Sequence, residues 1–422
     1  MRKPDRIERL YLDFDGFFAS VMQQAMPDLR DKPVGVIPFE VKDARHTVVI
    51  ACSKEAKAAG CSNVMPVPDA LKQCPDMVLV MQRPDLFRRA HNKLLNEIRC
   101  VLPIETIKSI DEFSCVLDKA AANNPHGLSR HIKQRISEFV GPYITCSIGM
   151  APNRMLAKIA CKMDKPNGTT IWRPEDLPGD LLDLPFDDIP GIGGRMQQRL
   201  WRAGITNMEA LWHTAPKEMR RLWGNVSGER MWYALHGYEV YAQPTQRGMY
   251  GHGRVLPPEW YGYEHARKCS RELLQKAAWR MRRDNWYANR LNMWLDLSLP
   301  NRRRAGWYRE ITLPSVMDDQ ALLVALERLW QQVRAELPAR TNFIRVGVTL
   351  MDLVHGSTRQ LDMFLNDDHV RQRWETITRT IERLNRKFSS KIVTIGPRAV
   401  PPGGYLGGKI AFNRIPDEED FW

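Results

Sequence analysis

The sequence predicts a multidomain α+β protein, on three observations. Over residues 1–172, short β-branched apolar runs are interspersed with stretches of helical period. From about 173 to 243 the strand signals vanish and short helices dominate. From about 249 to 354 strands return, separated by two helical stretches. At 422 residues the chain is long enough for about three domains. Hydrophobic residues make up 43% and charged residues 26%, the balance of a core-forming globular protein.

Taken in order, residues 7–13 read as a buried strand and 17–26 as a helix. Residues 34–37 and 47–52 are apolar, β-branched runs and are expected to be strands. Residues 54–59 form a helix that stops at Gly60, a common position for glycine after a helix. Residues 77–81 are another strand. Over 85–102, Leu86, Ala90, Leu94, Ile98 and Val101 recur at helical spacing with Arg88, Arg89, Asn92, Lys93 and Glu97 between them, an amphipathic helix. Residues 106–117 read as two strand segments with Ser109–Glu112 at their junction. A helix over 130–140, a strand over 144–150 and a helix over 153–163 follow. Lys165-Pro166-Asn167-Gly168 is a turn into the strand 169–172.

Residues 243–248 read as a linker. Strands over 293–299, 310–313 and 343–350, with helices near 264–283 and 320–336, make a small separate domain. After 355 the chain reads mainly as a tail, with one helix over about 370–388 and a Pro/Gly-rich stretch at 397–408.

The formal net charge is +13, which favours a polyanionic partner. No run approaches the ~18 apolar residues of a membrane span, and no apolar segment of a secretory signal follows the first charges, so no membrane is expected and the location is expected to be cytoplasmic. The eight cysteines form no Cys-x-x-Cys pair, which suits reduced core thiols and disfavours a zinc site.

Three short pieces carry chemistry. Asp13 ends an apolar strand, where a carboxylate is costly unless it meets water or a cation. Asp111-Glu112 is an adjacent acidic pair in an otherwise apolar hairpin, and a divalent cation would relieve its repulsion. Magnesium takes hard oxygen ligands from one or two carboxylates, water and substrate phosphates, and two such ions serve in-line phosphoryl transfer. Asp15 either shares Asp13's face as a further ligand or caps the helix that follows. Ile189-Pro190-Gly191-Ile192-Gly193-Gly194 precedes a helix over 196–203, a helix-hairpin-helix pattern. Its glycines let backbone approach a phosphate, and the free N–H groups of the helix can hold one.

Together these residues resemble the Y-family of translesion, error-prone DNA polymerases, bacterial type. Residues 12–21, from Leu12-Asp13-Phe14-Asp15-Gly16-Phe17-Phe18 on, are similar to that family's first motif, and Ser109-Ile110-Asp111-Glu112 to its second. Ala157-Lys158-Ile159-Ala160 with Lys165-Pro166-Asn167-Gly168 is similar to its third, and Ile189–Gly193 resembles its thumb. The resemblance runs in order from about residue 7 to 355. It implies a right-hand polymerase with a ferredoxin-like palm (1–18 and 84–172), small fingers (19–83), a helical thumb with the helix-hairpin-helix (173–243), a DNA-binding little finger (247–354) and a C-terminal tail (355–422).

Carried over by motif, Asp13 and Asp111 would bind two Mg2+ ions, with Mn2+ as an alternative. Glu112 would be the third catalytic carboxylate, and the Phe14 carbonyl would complete one metal's shell. Phe18 would be the steric gate against a ribose 2′-hydroxyl, Phe17 a neighbour of the incoming sugar or base, and Lys165 a triphosphate contact. The family's Tyr-x-x-Arg in the fingers is replaced by Lys54 and Lys57, which attract phosphate without the bidentate fork of arginine. Gly191, Gly193 and Gly194 would hold DNA backbone. A run of basic residues interleaved with tryptophans over 265–309 falls in the domain implied to span the duplex.

Gln360, Leu361, Met363 and Phe364, in Gln-Leu-Asp-Met-Phe, resemble the peptide by which bacterial polymerases dock on a sliding clamp. The expected activity is template-directed transfer of dNTP to a primer 3′-hydroxyl, with low fidelity and without proofreading, in DNA damage tolerance, repair and the SOS response. The expected partners are primer–template DNA, dNTP and the clamp, and the expected state is a monomer able to take accessory subunits. The rival readings are a non-catalytic DNA-damage scaffold of the same fold and a nucleotidyl cyclase.

Overall fold

The computed structural model describes residues 1–38, 47–241, 247–300, 303–359, 368–396, 410 and 415–417. The chain divides into two units, Met1–Gln243 with Lys409–Pro416, and Pro244–Gly408 with Asp417–Trp422. Gln360, Leu361, Met363 and Phe364 lie outside the described residues, as do most of the 243–248 linker and the 397–408 stretch.

The first unit is organised by a five-stranded sheet in the order Thr169–Ile171, Cys146–Ala151, Arg9–Phe14, Glu112–Val116, Ile104–Ile107, antiparallel except for its first pair. Arg9–Phe14 is central. Its alternation sends Leu10, Leu12 and Phe14 into one core with Phe17, Phe87, Leu94, Ile98 and Phe113. Tyr11 turns to the other side, into a second core with Leu156, Ala157 and Ala160. The helix Pro84–Arg99 supplies the first core through Phe87, Leu94, Leu95 and Ile98. The helix Arg154–Met163 lies against the opposite face, where a side chain on Gly149 would put its Cβ 2.1 Å from Ala157 O. Only a glycine lets backbone meet backbone that closely.

Asn153 caps the Arg154–Met163 helix at Leu156 N and also donates to Ala234 O at 2.7 Å and Tyr238 O at 2.9 Å. One buried side chain thus joins the sheet's helix to the helical region behind it. That region, 173–241, holds short 3-10 turns and four helices, Gly194–Arg202, Met208–Trp212, Pro216–Trp223 and Val226–Leu235.

A three-stranded sheet, Ala51–Cys52, Val34–Ile37, Val78–Met81, and a two-stranded pair, Val48–Val49 with Met65–Pro66, fill residues 34–81. The single strand expected over 47–52 is therefore broken, because Ile50 N donates to Val36 O and the segments on either side pair with different partners. A helix at Val67–Gln73 was not expected; seven residues are too few to establish a period.

The second unit is a four-stranded antiparallel sheet in the order Met249–Val255, Asn342–His355, Trp286–Ser298, Arg304–Val316. The helices Tyr263–Arg283 and Asp319–Glu336 pack on it around Trp330, whose Nε1 donates to Ser270 Oγ at 2.8 Å. The edge strand Met249–Val255 escaped the sequence reading, since Gly251 and Gly253 interrupt its pattern. Gly253 and Gly347 are where Trp294 lies, its ring atoms 2.7 and 2.1 Å from where a Cβ would stand on each.

The tail beyond 355 departs most from expectation. The helix Asp368–Lys387 is docked on the second unit by its acids. Glu382 Oε1 accepts from Arg282 at 2.7 Å, Arg282 also donates to Asp319 Oδ1 at 2.8 Å, and Arg359 pairs with Glu375 at 2.9 Å. Arg282 is almost wholly buried between its two carboxylates. These partners are remote in sequence, which is why periodicity gave the helix without its docking.

Two outcomes follow for stability. Gly149→Ala should destabilise the first unit by about 2 kcal/mol, read as a lower urea midpoint, because the helix must retreat from the sheet. Arg282→Met should cost about 3 kcal/mol in unfolding of the second unit, since it strands two carboxylates without their cation. Faster hydrogen exchange in Asp368–Lys387 would locate that effect.

Candidate active site

The register of the central sheet brings the three acids together. Asp13 stands opposite Glu112, and Phe14 N donates to Asp111 O at 2.9 Å. Leu12 and Phe14 anchor this strand in the core, so Asp13 must face the other way. From the helix Pro84–Arg99, buried His91 puts Nδ1 2.7 Å from Ile110 O, where Nδ1–H donates to the carbonyl just before Asp111. Burial lowers the His91 pKa and so favours the neutral ring.

Each flanking acid is held by a lysine. Lys165 Nζ lies 2.6 Å from Asp13 Oδ1, and Lys158 Nζ lies 2.7 Å from Glu112 Oε1 and 3.1 Å from the Tyr11 hydroxyl. Ser109 Oγ donates to Asp111 Oδ1 at 2.5 Å and lies 3.4 Å from Glu112 Oε2. Burial pushes Asp13 up to about 6; Lys165 opposes this, while Asp111 and Glu112 add to it. Burial likewise raises Asp111, against the hydrogen bond from Ser109. For Lys165, burial would lower the pKa, but the pull of Asp13 outweighs it and the value is raised. Asp111 and Glu112 both act on Asp13, and Glu112 acts on Asp111, so the three form one electrostatic cluster.

That cluster suits a hard divalent cation: anionic oxygens, partly stripped of water, pressed together by strand pairing. Among the described residues, no three His, Cys, Asp or Glu side chains close on one point as a ready-made cage.

Beside the acids, Gly16 turns the chain with φ +54°, and a Cβ there would stand 3.0 Å from Cys52 O. The helix Phe17–Ala25 starts immediately after it. At 2% exposure the Phe17 ring is part of the core, against Phe14, Phe18 and Phe87. Phe18 is half-buried, its ring centroid 4.7 Å from that of Phe87, so it is braced from behind with part of its surface open.

Lys57, exposed on the short helix Lys54–Ala58, brings Nζ to 4.0 Å from the Cβ position of Gly16, beside the start of the Phe17–Ala25 helix. Lys54 is exposed and makes a loose 3.7 Å pair with Glu55.

The glycine turn is also in place. Gly191 is left-handed at φ +97°, and Gly193 and Gly194 have open space where side chains would be. The helix Gly194–Arg202 begins there without any side-chain cap, a helix start of the kind that can receive an anion. A cleft of about 620 Å³ in the same unit is lined by Glu112, Lys158, Lys108, Arg154, Pro190 and Arg230, among others.

The basic run over 265–309 is less available than its composition suggests. Arg267 pairs with Glu327, Arg282 with Asp319 and Glu382, Arg290 with Glu310 and Asp352, and Arg309 with Glu336. Much of that charge is spent within the fold.

Several residues of the site were not singled out from sequence. Lys158 and Ser109 lay inside the quoted motifs, and their spacing alone could have suggested them. His91 gave no signal, because a histidine on an apolar helix face reads as ordinary core.

Comparison with known proteins identifies the family. A model of the impB/mucB/samB family matches residues 12–162, and one of that family's C-terminal domain matches residues 247–363. The chain is similar to DNA polymerase IV of Moorella thermoacetica, 31% identical over 94% of this chain and 98% of that protein. It is also similar to DNA polymerase IV 1 of Bacillus subtilis, 28% identical over 92% of each. Among solved structures, a Y-family DNA polymerase chimera superposes with a TM-score of 0.68 at 24% identity, covering 82% of this chain and 99% of that one. An insertion ternary complex of Dbh DNA polymerase gives a TM-score of 0.54 at 23% identity, over 82% of this chain and 99% of that one. Matched by both family models and, over nearly its whole length, by a relative at 31% identity, the chain belongs to the impB/mucB/samB family and is a bacterial Y-family DNA polymerase.

Proposed function

We propose that the protein is a template-directed translesion polymerase that adds a dNTP to a primer 3′-hydroxyl with release of pyrophosphate. The observation that carries this is the cross-strand pairing of Asp13 with Glu112, with Asp111 adjoining, beside a half-buried Phe18. Asp13 and Asp111, with the Phe14 carbonyl, would hold two Mg2+ ions, for which Mn2+ could substitute. When bound, such ions supply Lewis-acid stabilisation of charge on the phosphates and activate the attacking hydroxyl.

The chain's own residues do the rest. Glu112, steadied by Lys158, presents a carboxylate where the 3′-hydroxyl arrives. Lys165 exchanges its bond to Asp13 for the triphosphate, a move that suits a compact cation on a flexible stem. Lys57 adds positive charge on the fingers side, with Lys54 further out. Phe18, backed by Phe87, fills the space a 2′-hydroxyl would need.

Gly191, Gly193 and Gly194 offer backbone N–H groups to DNA phosphates, a contact that positions without reading sequence. In the parts implied by the family, residues 1–18 and 84–172 act as palm, 19–83 as fingers, 173–243 as thumb and 247–354 as little finger. Low fidelity, the lack of proofreading, a role in damage tolerance and a cytoplasmic location belong to the same reading. Among the described residues no helix is long and apolar enough to cross a membrane. The peptide containing Gln360, Leu361, Met363 and Phe364 would dock on a sliding clamp and raise the local concentration at primer ends.

Primer extension tests the assignment. Asp111→Asn should lower single-nucleotide insertion on the order of a thousandfold, the scale of losing one preorganised electrostatic stabiliser, while duplex binding stays near wild type. Wild-type turnover in that variant would remove the proposed chemistry. Phe18→Ala should raise insertion of rNTP relative to dNTP by about 10- to 100-fold, since a pocket that rejects one hydroxyl by shape loses that discrimination when opened. An unchanged ratio would show that another group excludes ribose.

A further inference from the structure

We infer that Asp15 and Lys133 are positioning residues that hold, from opposite sides, the turn presenting Lys165; this rests on the assignment of Lys165 to the triphosphate. Asp15 is neither of the things its sequence position suggested. The helix after it begins with Gly16 at the cap and has no side-chain cap bond, so Asp15 does not cap it. Its carboxylate instead accepts from Ser147 Oγ at 2.8 Å through Oδ1, and from Thr145 Oγ1 at 2.9 Å and Asn167 N at 2.8 Å through Oδ2. Three of its roughly four lone-pair positions are thus committed to a neighbouring strand and to the turn, leaving little to offer a cation.

Lys133 works on the same turn from the other side. Its ammonium donates to Asn167 O at 2.5 Å, Gly168 O at 2.9 Å and Thr169 Oγ1 at 3.0 Å. An anion therefore holds an N–H of the turn and a cation holds its carbonyls. Charge-assisted bonds of this kind are about twice as strong as neutral ones. The turn itself has little slack. Asn167 is left-handed at φ +59°, and a Cβ on Gly168 would fall 1.6 Å from Asp164 O.

Lys165 sits two residues before Asn167, with Nζ 2.6 Å from Asp13 Oδ1. A lysine stem is flexible, so the ammonium's reach depends on where the backbone is fixed, and displacements of about 1 Å can cost a hundredfold in a reactive site. Neither Asp15 nor Lys133 need touch the substrate for this; they act through Lys165.

Steady-state dNTP insertion by the full chain on a primer–template tests the inference. Lys133→Met should raise the KM for dNTP about tenfold with a smaller change in kcat, and Lys133→Arg should recover most of it. Asp15→Asn should act in the same direction. Lys165→Met should raise KM by itself, and adding Lys133→Met or Asp15→Asn to it should change KM little further, because groups acting through one residue are not additive. A wild-type KM for Lys165→Met would remove the triphosphate assignment and this inference with it. A raised KM there, together with fully additive effects or a wild-type KM in Lys133→Met, would overturn the clamp and leave the assignment standing. If Asp15→Asn does not fold, the Lys133 variants decide alone.

Discussion

The strand Arg9–Phe14 works only in one register. Side chains alternate along it, so a slip of one residue would carry Asp13 into the core and bring Leu12 or Phe14 to the reactive face. The slip is prevented by the apolar anchors Leu10, Leu12 and Phe14 and by two antiparallel ladders, one on each side. That alignment places Asp13 against Glu112, brings Asp111 within reach through the Phe14 N–H, and puts Ser147 where Asp15 can use it. The site is a by-product of how the central sheet buries its apolar side.

Holding acids this close has an electrostatic cost, and the protein meets it with lysines. Asp13 has Lys165 and Glu112 has Lys158, both contributed by the segment that packs over the sheet. An ammonium on a four-carbon stem can change partner at little cost, whereas the guanidinium of Arg282, buried between Asp319 and Glu382, is part of the framework. The same pairing of opposite charges thus involves flexible lysine stems in the first unit and a buried guanidinium in the second.

The second unit also tempers the use of net charge as a guide. A surplus of +13 points to a polyanionic partner, and composition over 265–309 points to where it binds. Yet several of those arginines are paired with carboxylates of their own unit, some far away in the chain. Composition counts charges without knowing which are compensated.

From sequence alone came the fold class, most strands and helices to within a few residues, the two acidic motifs and the glycine turn, because each is a local pattern: an alternation, a period, or a residue type in an unusual setting. The sequence by itself could also place Lys165 in a turn after a helix. Only the tertiary structure decided that Phe17 belongs to the core while Phe18 stays partly open, that Asp15 grips the Lys165 turn, that His91 steadies the bend before Asp111, and that the helix Asp368–Lys387 is fastened by its acids. Those facts depend on partners tens to more than a hundred residues apart. Spacing along a chain does not encode such pairings until the sheet has closed and its neighbours have packed.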